Sequence, residues 1–209
     1  MASPQNFRLQ IIGVGQEWRG DDAAGLLVAR LLKPTQTRGG GIGGPAPGGR
    51  PPGSVPTANA ASSTPNRPQV TVLETSGAIS DLLAAWDGAD AVILADAVRG
   101  GGPPGKIYRF PVHEAALPVD LFPAASTHAW GIGQAVALGQ ALRQLPPYLV
   151  VYGIEGRDFG PGQTISAAVA EAIPAAARLI LQEIQEVLGE GSKACPLLGR
   201  PGTAAPPNF

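Results

Sequence analysis

At 209 residues the chain is long enough for one packed domain. A net charge of −1, with only 15% charged residues, supplies no basic surface for nucleic acid or an anionic membrane. The single cysteine, Cys195, excludes an intrachain disulfide and a multi-cysteine zinc site, and it suits a reducing compartment, so a cytoplasmic location is expected.

The opening MASPQNFRLQ holds one basic side chain, Arg8, before a short apolar run, from which neither a secretory signal nor a membrane span is expected. Phe7 to Val14 alternates and then turns apolar, predicting a strand that ends in the buried part of a sheet; Gly13 and Gly15 break it. From Asp21 the period becomes helical, through Leu27, Val28, Leu31 and Leu32, until Pro34 stops it. Residues 34–68 hold eight Pro, eight Gly, no aromatic residue and no acid, a composition that cannot bury enough apolar surface to offset its ordering entropy. They predict a flexible insertion.

Val70 to Leu73 predicts a strand, Ala78 to Trp86 a helix, and the unbroken apolar run Ala91–Ala95 a strand covered on both faces. Lys106 to Val112 predicts another strand at an edge. A helix is expected over Thr127–Leu142, with Trp130, Ile132, Val136 and Leu138 toward its buried face. The strand Tyr148–Ile154 and the helix Ile165–Val187 close the pattern, and the Gly/Pro-rich residues 193–209 predict a frayed tail. One domain over residues 1–192 is therefore expected. Alternating strands and helices call for right-handed crossovers, and so for a three-layer α/β fold: a mostly parallel twisted sheet, helices on both faces, and a flavodoxin-like strand order.

Open sheets of this kind bind ligands beyond the carboxyl ends of their strands, where the strand order reverses. Asp22, in the loop after the first strand, and Asp96, at the carboxyl end of the third, fall at that place. Each also has a plainer reading, Asp21 or Asp22 as a helix cap and Asp96 as a turn residue. Of the two histidines, His113 reads as a surface residue, while His128, in S-T-H-A-W-G, can point off a helix start or serve the fold alone. One imidazole with two carboxylates makes a donor set for a divalent ion such as nickel or zinc that leaves positions open. Trp18 replaces the third glycine of a dinucleotide loop, and both the phosphate loop and the G-x-S-x-G elbow are missing, which argues against nucleotide binding and serine hydrolysis. Cys195, in the tail, is not expected to be a nucleophile.

Four segments carry a more specific signal. G-V-G-Q-E-W-R-G-D-D-A-A-G (13–25), A-V-I-L-A-D-A-V (91–98), S-T-H-A-W-G-I (126–132) and V-Y-G-I-E-G (151–156) resemble, in order and setting, the hydrogenase maturation proteases. The resemblance implies an endopeptidase that removes the C-terminal extension of a [NiFe] hydrogenase large-subunit precursor. It implies Asp22, Asp96 and His128 as metal ligands, with Asp22 or Asp96 assisting the attack of water. Nickel would arrive on the precursor, and no permanent organic cofactor is implied. A non-cutting chaperone that recognises the metallated subunit, or a flavodoxin-like redox protein, are the rival expectations.

Overall fold

In the computed structural model, which describes residues 7–33, 68–118, 121 and 131–191, the first apolar run forms strand β1 (Arg8–Val14). A 3-10 turn, Gly20–Ala23, leads into helix α1 (Ala24–Leu32). That helix ends because Lys33, the residue before Pro34, takes an extended conformation. Strand β2 (Gln69–Thr75), helix α2 (Ile79–Trp86), strand β3 (Ala91–Val98) and strand β4 (Ile107–Pro111) follow. Helix α3 (Ile132–Leu142), strand β5 (Tyr148–Glu155) and helix α4 (Ala167–Gly191) complete the elements. All belong to a unit formed by Met1–Lys33 and Asn66–Phe209; a second unit, Pro34–Pro65, lies outside the described residues, as does the tail with Cys195.

The sheet runs β2-β1-β3-β5-β4. Its first four strands are parallel, and β4 is antiparallel to β5 at the edge. The fold is thus the expected open α/β sheet, with one refinement: the flavodoxin-like order holds for the parallel strands, and β4 pairs antiparallel outside β5. β3 is buried at all eight positions, because α1 and α4 cover one face of the sheet and α2 and α3 the other. Ile93, Val150, Ile154 and Ile180 lie in the first core; Leu82, Trp86, Leu94 and Ile132 lie in the second.

Three local expectations change. Leu138 is exposed, since the buried stripe of α3 follows Ile132, Ala135, Val136 and Gly139. α3 begins at Ile132, not Thr127, and residues 122–130, with His128 and Trp130, lie outside the described residues. β3 runs on past the apolar stretch to Val98, so Asp96 lies within its carboxyl end. No described helix is long and apolar enough to cross a membrane.

Candidate active site

The strand order reverses between β1 and β3, which puts the loop after β1 and the last residues of β3 on the two sides of one crevice. The glycines of the first motif serve this packing, not phosphate binding. Gly25 lets the start of α1 lie directly on the sheet, where a Cβ would strike the carbonyls of Val14 and Ala95. Gly15 has φ +144°, and a side chain there would run into the carbonyl of Asp22.

Asp21 and Asp22 share one turn but do different work. Neither caps the turn that carries them. Asp21 is wholly buried, and its carboxylate reaches across to the segment after β5, where it accepts bonds from the backbone N–H of Arg157 (2.8 Å), Asp158 (3.0 Å) and Ser166 (2.7 Å), and from Ser166 Oγ (3.1 Å). Burial alone raises its pKa, but the N–H groups outweigh burial and hold it below the ordinary range. Asp21 is a clamp. Its own N–H donates to Asp158 O (2.8 Å), so the two loops are stitched in both directions.

Asp22 is 5% exposed, and its Oδ2 has no hydrogen-bond partner among the described residues. Burial pushes its pKa up, against the opposing pull of the Arg19 guanidinium and the Gln16 N–H. Asp96 is 9% exposed, and its Oδ1 accepts from the N–H of Ala97 (2.8 Å). Burial raises it well above the ordinary carboxylate range, and the charge of Asp22 raises it further. The two carboxyls therefore lie near enough for the charge of Asp22 to act on Asp96. Such a pair, with an orphaned buried oxygen, suits a divalent cation, whose charge would relieve the repulsion and occupy the free lone pairs. Among the described residues no group of three His, Cys, Asp or Glu forms a metal cluster; the expected third ligand, His128, falls outside them. His113 is exposed and bonds the carbonyl of Pro146 (2.8 Å), a surface role as expected.

The residue that sequence reasoning left unassigned is Glu155. It is 1% exposed at the end of β5, and its Oε1 accepts from the N–H of Gly100 (2.8 Å) and Gly101 (2.9 Å) in the loop that leaves β3. Its position in V-Y-G-I-E-G, an acid closing an otherwise apolar strand, was the available signal. Nothing local reveals that its partners lie 54 and 55 residues away.

The family model described as hydrogenase maturation protease matches residues 58–183, more than half the chain; the match includes Asp96 and His128 and begins after Asp22. A search of the curated proteins finds no match. Among solved structures, the chain is similar to the hydrogenase maturating endopeptidase HybD of Escherichia coli, at 18% identity and a TM-score of 0.58 over 87% of this chain and 94% of that one. It is similar to the solution structure of another Escherichia coli endopeptidase at 19% identity and TM-score 0.61, over 87% and 94%. The [NiFe] hydrogenase maturation protease HybD of Thermococcus kodakarensis matches at 19% identity and TM-score 0.53, over 84% and 98%. At these identities the structural likenesses speak for the fold.

Proposed function

The chain belongs to the hydrogenase maturation protease family, and from that premise we propose that it cuts the C-terminal extension from a nickel-loaded precursor of a [NiFe] hydrogenase large subunit. It is a peptidase. The observation that carries the finer reading is the nearness of two buried carboxyls at the sheet's reversal point, where the charge of Asp22 raises the proton affinity of Asp96 and one oxygen of Asp22 is left unbonded among the described residues.

In this reading Asp22, Asp96 and His128 engage the nickel that the precursor brings, so the ion is part of the substrate. Nickel supplies Lewis acidity to the scissile carbonyl and a fixed point for docking. The chain's own contribution is placement and proton transfer. Docking on three side chains holds the peptide bond beside the crevice, which turns the attack of water into a local event. Asp22 or Asp96 serves as the base in this reading, which their raised proton affinity supports. A cytoplasmic location accompanies this reading, supported by the single cysteine.

The test is incubation of the purified protein with nickel-loaded and nickel-free precursor, followed by intact-mass spectrometry. The expected result is loss of a C-terminal peptide from the nickel-loaded form alone, and loss of cutting in D96A and H128A while both remain folded. A precursor that is bound but never shortened, or full processing by both variants, would overturn the proposal.

A further inference from the structure

We propose that Glu155 is a positioning residue for the reaction: its buried carboxylate holds the loop that leaves β3, and with it the carboxyl end of the strand that carries Asp96. This rests on the site described above and goes beyond its two acids.

By the alternation of the strands, Asp96 shares a sheet face with Val92, Leu94 and Val98, and Glu155 shares that same face with Leu149 and Val151. Asp96 pairs with Gly153 and Val98 with Glu155, so the two acids lie on adjacent strands in a diagonal relation. After Val98 the chain turns through Arg99 and three glycines. The N–H groups of Gly100 and Gly101 donate to Glu155 Oε1, and a Cβ on Gly100 would lie 3.2 Å from Oε2. The concavity that three glycines make is a ready anion cradle, and here a side chain of the same chain fills it.

The contacts continue beyond the loop. Gly156 N–H donates to Val98 O (2.9 Å), and the backbone of Glu155 exchanges bonds with Gly105 and Lys106 (2.8 Å each), so β5 grips the loop at both ends. Arg99 N–H donates to Leu121 O (2.8 Å), and the Leu121 side chain fills the space against Gly100. One carboxylate therefore ties the loop that leaves the strand of Asp96 to the end of β5.

The second oxygen distinguishes a positioning acid from one held only for charge. Oε2 has no hydrogen-bond partner of good geometry among the described residues, although the Tyr108 phenol stands near enough that, after burial, the Glu155 charge helps keep that phenol's pKa raised. A glutamine preserves the acceptor that matters and puts its amide where Oε2 now stands, beside Tyr108. Glu155→Gln should therefore rescue what Glu155→Ala loses.

The experiment uses the full chain and the nickel-loaded large-subunit precursor, with amide hydrogen exchange on the free protein. In E155A, exchange at Gly100 and Gly101 rises about tenfold or more while that of β1 is unchanged, since one lost charged acceptor frees two N–H groups. At a temperature where E155A is folded, kcat falls about tenfold or more with KM within about twofold, as expected when geometry and not affinity is lost. E155Q stays near the wild type in both readouts. Wild-type exchange in the loop of E155A, or a folded E155A with wild-type kcat, overturns the proposal. Failure of the wild type to cut any precursor is recognised separately: it removes the peptidase reading of the site and with it this catalytic role, whatever the exchange shows.

Discussion

Asp22 and Asp96 are kept in an environment that disfavours their charge, and that cost is measurable. Both have folded-state pKa values above the usual 3.8, through burial first and, for Asp96, through Asp22 next. Below the unfolded value both states are protonated and nothing is lost. As pH rises above it, the folded chain must either keep a proton or bear a buried charge, and stability falls. D96N should thus be more stable than the wild type at pH 7 and equal to it near pH 3, with the melting midpoint rising about 2–4 °C for each kcal/mol of repulsion removed. The same variant should not process precursor. A D96N that melts at or below the wild-type midpoint at pH 7 would show that the pair is compensated. The opposite behaviour belongs to Gly15: alanine there must take φ +144° and meet the carbonyl of Asp22, so G15A should cost ~3 kcal/mol or more in urea unfolding and displace the acid.

At the scale of elements, the edge strand β4 is fastened by a second buried acid, remote in role from the first pair. Glu183 on α4 receives both a bidentate Arg109 fork (2.8 and 2.7 Å) from β4 and the hydroxyls of Tyr148 and Tyr152 (2.6 Å for Tyr152) from β5. Burial pushes the Glu183 carboxyl up, but Arg109 and the two tyrosines outweigh it and hold the pKa down to about 2. Because the folded value is depressed, the stabilisation is full above the unfolded value of 4.5 and is lost as pH falls from there toward 2. Arg109 is partly exposed, so solvent discounts the pair; E183Q should cost about 2 kcal/mol at pH 7. Urea midpoints of E183Q and wild type should converge as pH is lowered through this window. A difference that stays constant down to the acid end would mean packing, not charge, is what Glu183 contributes.

For the whole molecule, the three loops at the carboxyl edge of the sheet are linked by buried acids. Asp21 joins the loop after β1 to the loop after β5, and Glu155 joins the end of β5 to the loop after β3. The crevice between them is thereby set by buried hydrogen bonds and not left to flexible turns. The insertion between α1 and β2 belongs to a separate unit. We expect its replacement by a linker of roughly eight Gly and Ser residues to change stability by only about 1 kcal/mol, because closure entropy varies slowly with loop length. A large loss in thermal midpoint would show instead that residues 34–65 belong to the folded core.

Much of this was legible along the chain. The apolar run Ala91–Ala95 announced a strand buried on both faces, and Pro34 announced the end of α1, because local sterics and periodicity act between near neighbours. The alternation of elements carried the sheet class, and the reversal rule carried Asp22 and Asp96 to one crevice. What only the tertiary structure decided were the partners of Asp21, Glu155 and Glu183, the outward turn of Leu138, and the antiparallel seat of β4. Those depend on which backbone N–H groups and which strands arrive from far along the chain. A buried carboxylate reads the same in sequence whether distant amides satisfy it, as for Asp21, or leave it short of partners, as for Asp22; only the folded arrangement separates the clamp from the candidate catalyst.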